Sequence, residues 1–212
     1  MNNKTTYRIF VLLIISLLPV LVRAQQIKGG LVAGFNMAMV DGDELFGYKK
    51  YGINAGPMVM IPFGKKFTLN IETIYNQKGS HQRAQFDNDS LNGAYHLVLD
   101  YLEVPFYLQF HDKAGANVGA GLSWGRLVRY SESEHGKKLD WTKSTFPYKR
   151  DDWNIFADVT FNIIKGWKIN ARYFYSLNVL RERTFLNGET RKQYNTGFTF
   201  RIIYIINEEV KK

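Results

Sequence analysis

Two groups of side chains in this sequence have the types and spacing to do chemistry. The first is Ser80, His81, Asp87, Asp89 and Ser90, with His96 just beyond. Serine, histidine and carboxylate are the parts of a nucleophile activated by a general base that an acid orients. Such chemistry at an exposed surface would cleave lipids or peptides. It requires the base within hydrogen-bond reach of the nucleophile, and the same residue types also serve turns and solvation in polar loops. The second group is Lys28, Glu72, Lys78, Glu103, Asp158, Lys168, Arg172 and Arg201, which fall in segments of alternating polarity. Paired carboxylates could cleave a glycoside only beside an open sugar cleft, and a string of acids and bases could carry protons or ions. Their mixed signs point instead to pairing, because a buried carboxylate without a cation incurs several kcal/mol of desolvation. Glu72 and Glu103 are therefore expected to meet Lys78, Arg172 or Arg201.

Nothing else in the chain suggests a reactive centre. There is no cysteine, which removes disulfides and a lipid-modified cysteine together. His111 and His135 lie in separate connections without metal-ligand spacing, so no metal is expected. The glycines lack the strand–loop–helix context of a phosphate loop. No catalytic residue and no cofactor are assigned.

The elements that must position these groups begin with an export leader. Lys4 and Arg8 precede an apolar run from Ile9 to Val22, followed by Val22-Arg23-Ala24. A basic start, a short apolar core and small residues before the cut define a secretory signal over residues 1–24. Residues 25–212 are left as one domain. The apolar run is shorter than the roughly 20 residues of a spanning helix, and nothing downstream approaches that length. Formal net charge is +9, or +6 once Lys4, Arg8 and Arg23 are removed. In an exported protein that charge suits an anionic lipopolysaccharide surface better than nucleic acid.

Eight segments of period two follow, roughly 26–38, 51–61, 67–78, 95–110, 116–130, 151–163, 167–177 and 193–206. Each is long enough to cross a bilayer as a tilted strand, which takes about 9 to 11 residues. In the sixth, Trp153, Ile155, Ala157, Val159 and Phe161 oppose Asp152, Asn154, Asp158, Thr160 and Asn162. One face is apolar and the other carries charge. Connections alternate long and short along the chain, and aromatics mark both ends of the apolar faces: Tyr51, Tyr75, Tyr130, Trp153, Tyr175 and Tyr194 at one, Phe63, Phe67, Phe110, Trp167 and Tyr204 at the other. These features predict an all-β, eight-stranded, up-and-down antiparallel transmembrane barrel with two aromatic girdles, short periplasmic turns and long external loops. Both termini are then expected in the periplasm. A soluble sandwich or lipocalin-like barrel is the competing architecture. An eight-stranded lumen is just wide enough for side chains to fill, so a diffusion pore is disfavoured. In the connection 131–150, Trp141, Phe146 and Tyr148 stand among Lys137, Lys138, Lys143, Lys149 and Arg150. They could dock a protein or lipopolysaccharide, or fold over the barrel mouth.

Gly29-Gly30-Leu31-Val32-Ala33-Gly34-Phe35-Asn36, Glu72-Thr73-Ile74-Tyr75-Asn76-Gln77-Lys78-Gly79, Tyr101-Leu102-Glu103-Val104-Pro105 and Arg172-Tyr173 together resemble the PorT-like outer-membrane β-barrel proteins. The resemblance spans essentially the mature chain. It implies an eight-stranded barrel and, for the namesake, an accessory role in a protein-secretion apparatus. Asn195 to Ile202 also looks like the signal read by the outer-membrane insertion machinery, although Asn207 to Lys212 extend beyond it. The expected function is a non-enzymatic barrel serving as a structural or accessory subunit of an envelope or secretion complex. Its partners would be outer-membrane lipid, lipopolysaccharide and proteins of that complex. A surface ligand-binding protein or adhesin and a rim hydrolase are the alternatives.

Overall fold

A computed structural model describes residues 27–85, 92–112, 115–140, 147–185 and 188–206. The leader expected over 1–24 lies outside these residues, as do Asp87, Asp89, Ser90, Trp141 and Phe146. The chain runs β1 (Lys28–Asp41), β2 (Lys50–Phe63), β3 (Phe67–Glu72), β4 (Ile74–Gln82), β5 (Tyr95–His111), β6 (Ala116–Glu134), β7 (Lys137–Lys138), β8 (Asp151–Ile164), β9 (Trp167–Ser176), β10 (Arg181–Thr184) and β11 (Thr190–Ile205). β3 and β4 are two halves of one crossing, in the same register against β5. The break falls at Thr73, whose N–H donates to the carbonyl of Pro57 at 3.0 Å. Pro57 has no N–H to return, so the ladder opens there.

Counting that pair once, and setting aside the two short outlying strands β7 and β10, eight antiparallel crossings follow one another around the sheet. β1 closes the ring by pairing with both β2 and β11, from Gly30↔Ile205 to Asp41↔Tyr194. Closure satisfies the backbone without leaving an edge, which hydrocarbon demands. The short turns 64–66, 112–115 and 165–166 share one end with both strand termini of the ring, and the long connections share the other. Each short turn contains a glycine in the left-handed region, Gly64, Gly115 and Gly166, at φ 64°, 83° and 77°.

Side-chain burial is inverted relative to a soluble protein. Val118, Ile155 and Ile202 are 55%, 51% and 52% exposed, while Asn70, Lys78 and Arg201 are buried. Exposing such a band to water would cost about 25 cal/mol per Å²; in hydrocarbon it costs nothing, so the outer face of the barrel meets a membrane. Aromatic pairs ring both ends of the band, Tyr175–Tyr194 at 5.9 Å at one and Phe63–Phe67 and Trp167–Tyr204 at 5.9 and 4.8 Å at the other.

The interior departs from the sequence expectation in one respect: it is not uniformly polar. Val32, Met58, Met60, Ile74, Ile203 and Ile205 form a buried cluster toward the short turns. A second cluster, including Val40, Leu97, Leu99, Tyr101, Leu127 and Leu180, lies toward the long loops. A narrow lumen is packed as a protein core, and these apolar strata enclose the charged ones.

Candidate functional site

The charges occupy successive layers of the lumen. In the first, the inward positions of β3, β8, β9 and β11 bring Glu72, Asp158, Arg172 and Arg201 together. Arg172 Nη2 is 3.1 Å from Glu72 Oε1 and 2.8 Å from Asp158 Oδ2, and Arg201 Nη1 is 2.7 Å from Glu72 Oε2. The Tyr107 hydroxyl donates to Glu72 at 2.8 Å, and Arg201 Nε donates to Asn170 at 2.9 Å. The Arg172 guanidinium lies 3.9 Å over the Phe156 ring. Two cations face two carboxylates, each held by bonds of the charge-assisted kind.

In the second layer, Lys78 Nζ stands 3.1 Å from Glu103 Oε2, 3.1 Å from Asp152 Oδ2 and 3.2 Å from Asn154 Oδ1. Ser123 and Asn76 donate to Glu103 at 2.5 and 2.6 Å, and Asn195 and Ser176 donate to Asp152. Asp152 was absent from the sequence-derived group, although it shares the inward parity of Asn154 and Asp158. Lys168 is buried on β9 and Lys28 half-buried at the start of β1, both near His111 and apart from these layers.

Above the span a third cluster ties the long connections together. Glu132, near the end of β6, receives Arg181 Nη2 at 2.9 Å, the Tyr95 hydroxyl at 2.7 Å and the Tyr148 hydroxyl at 2.7 Å. Arg181 also donates to Gln193 at 2.7 Å and lies 4.7 Å over the Tyr148 ring. Burial pushes the Tyr148 phenol well above its ordinary range. Tyr148 is thus a buried strut across the barrel mouth and presents no docking surface, because its hydroxyl is committed to Glu132. Asp43 in the first long connection is also buried and accepts from the Leu45 N–H at 2.9 Å. Burial raises its pKa, against the opposing pull of hydrogen bonds from Ser80 and the Leu45 N–H and of the Arg181 charge. Around this clasp lies a cavity of about 1110 Å³ whose lining includes Phe46, Glu134, His135, Arg183 and Phe185. Nothing in the sequence pattern announced it, since its walls come from four separate connections.

Among the described residues the catalytic alternative does not assemble. Ser80 is buried in the lumen, whereas His81 turns to the opposite face of β4 and meets His96 edge-on at 5.2 Å between ring centroids. Period-two alternation separates adjacent residues of a strand in this way. His111 bonds Thr68 and Asn117, and His135 accepts from the Gly93 N–H. Among the described residues no three histidines or carboxylates converge as metal ligands.

Residues 23–181 match the family model described as outer membrane protein beta-barrel domain. Among solved structures the chain is similar to Ail, the attachment invasion locus protein of Yersinia pestis, with 15% identity and a TM-score of 0.49 over 84% of this chain and 98% of that one. It is also similar to OprG from Pseudomonas aeruginosa, with 12% identity and a TM-score of 0.43 over 85% and 94%. For Neisserial surface protein A the values are 11% and 0.41, over 84% and 96%. No curated protein matches the chain.

Proposed function

The chain belongs to the outer membrane protein beta-barrel domain family, and from that premise we propose that it is a non-enzymatic, non-conducting barrel acting as an accessory subunit of an envelope assembly. The leader over residues 1–24 exports it, and the short turns and both termini face the periplasm. The long connections form a crown outside the cell, where partners dock. The observation that carries this reading is the pair of ionic layers in the lumen. Arg172, Arg201 and Lys78 are each bonded to carboxylates across the full width of the barrel, so work is left to the outer surfaces. The separation of Ser80 from His81 weighs against a rim hydrolase. The resemblance to PorT-like barrels supports a secretion complex as the assembly.

The crown cavity beside Phe46, Arg183 and Phe185 favours a second reading, a surface ligand-binding protein or adhesin. Affinity purification of a tagged copy from detergent-solubilised outer membranes separates the two. A stoichiometric envelope protein supports the accessory subunit, and a clean monomer supports surface binding. Porin-like conductance in planar bilayers would overturn the closed-lumen premise of both.

A further inference from the structure

The barrel wall has a seam between β2 and β4. Both strands continue toward the long loops, yet their ladder contains only Asn54↔Asn76 and Ala55↔Tyr75. Beyond it, side chains replace the neighbouring backbone. The Ile53 N–H donates to the Gln77 side chain at 3.1 Å, and Asn36 reaches from β1 to the Gln77 carbonyl at 2.8 Å. Gly52 permits this crossing, since a Cβ there would stand 2.3 Å from the Gln77 oxygen.

A cavity of about 600 Å³ straddles the outer side of the seam, lined by Tyr48, Lys49 and Tyr51 before and within β2 and by His81, Gln82 and Arg83 at the end of β4. Among its described lining residues there is no carboxylate. Lys49 and Arg83 are exposed, and neither forms an ion pair among the described residues. Directly below, Tyr51 touches Phe35 at 6.3 Å between ring centroids, and Phe35 touches Phe200 at 5.7 Å. Those two phenylalanines wall an apolar groove of about 420 Å³ on the hydrocarbon face, with Ala33, Phe161, Ile169 and Ala171. The Tyr51–Phe35 contact thus stands between a cationic cavity at the level of the upper girdle and an apolar groove on the hydrocarbon face.

We propose that the cavity and the groove together bind a phosphorylated lipid of the outer leaflet. Lys49, Arg83 and His81 receive the phosphate, and the groove from Phe35 to Ala171 receives an acyl chain. Guanidinium and ammonium groups match a phosphate by charge and hydrogen bonding, and the attraction is strongest at the membrane surface. The groove opens onto hydrocarbon, so its occupant carries a chain as well as a charge. The choice of leaflet rests on the orientation proposed above; the binding itself does not.

The test places the mature chain in phosphatidylcholine nanodiscs containing a small fraction of lipid A and counts retained lipid A by native mass spectrometry. Retention in the wild type should fall about tenfold in K49E/R83E, but not in K137E/K138E, which makes the same charge change on β7. Ala33→Leu, which fills the groove without adding charge, should also reduce retention. Inorganic phosphate should not displace the lipid, and displacement would assign the cavity to a free anion instead. Equal loss in the β7 control, or full retention in K49E/R83E, overturns the site, and full retention in Ala33→Leu overturns the acyl half. Heat-modifiable mobility on gels verifies that each variant is folded, and K49Q/R83Q serves if the reversal is not. Nanodisc binding is blind to orientation, so its failure is distinguishable from failure of the topology.

Discussion

Glu72 and Arg201 meet across the lumen, Glu72 Oε2 2.7 Å from Arg201 Nη1, although 129 residues separate them in the chain. One lies at the end of β3 and the other on β11, and both are buried. Arg172 completes the contact from β9. The first ionic layer therefore joins strands from opposite sides of the ring.

Removing Glu72 should leave Arg172 and Arg201 with Asp158 as their sole remaining carboxylate. Breaking a buried ionic group by deleting one partner costs about 3–5 kcal/mol. Glu72→Ala should lower unfolding stability by that order in reversible urea titrations of the membrane-inserted protein. A loss under about 1 kcal/mol would mean that water already screens the layer.

Closure between β1 and β11 depends on Gly34. A Cβ at that position would stand 2.0 Å from the Phe200 carbonyl oxygen and 2.7 Å from the Arg201 Cα, both backbone atoms that cannot turn aside. Gly34→Val should destabilise the barrel by about 1–3 kcal/mol or more, and insertion into vesicles, followed by protease protection, should fall. Normal insertion would show that β1 and β11 can separate without penalty.

Asp43 makes the first long connection sensitive to pH. Its raised pKa means that folding favours the protonated acid. This contribution is therefore full at acidic pH, below the unfolded value, and is lost as pH rises through the higher folded value. Hydrogen exchange of residues 42–49 should be slower near pH 4 than near pH 7 after correction for intrinsic rates, and Asp43→Asn should remove the difference. A connection equally protected at both would show that Asp43 does not tie it down.

Because the chain has no cysteine, single cysteines report topology without background. Lys137→Cys on β7 should react with an impermeant maleimide on intact cells, whereas Lys65→Cys in a short turn should react only after the outer membrane is opened. The reverse pattern would invert the barrel and place the phosphorylated-lipid site in the inner leaflet.

Much of the architecture was legible along the chain. The alternation of Trp153, Ile155, Ala157, Val159 and Phe161 with Asp152, Asn154 and Asp158 marks a strand with one lipid face, because a pleat sends successive side chains to opposite sides. The same rule sends Ser80 and His81, grouped above by residue type alone, to opposite faces of β4. It holds for Ile203 and Ile205 as well, which follow Arg201 to the inward face, but there they are apolar and join a buried stratum. Hydrophobicity marks a boundary with lipid only where the opposite face is polar; at the end of a packed lumen both faces are apolar.

The sequence by itself determined the strands, their two faces, the alternation of short and long connections and the aromatic girdles. All of these are local consequences of pleat period and of hydrocarbon thickness. Only the tertiary structure decided that Glu72 would meet Arg201, that Tyr148 would brace Glu132 beneath the crown, and that the ladder beside Gly52 would open into a seam. Those pairings depend on the register accumulated around a closed ring. Each neighbouring strand fixes part of that register and no single segment contains it.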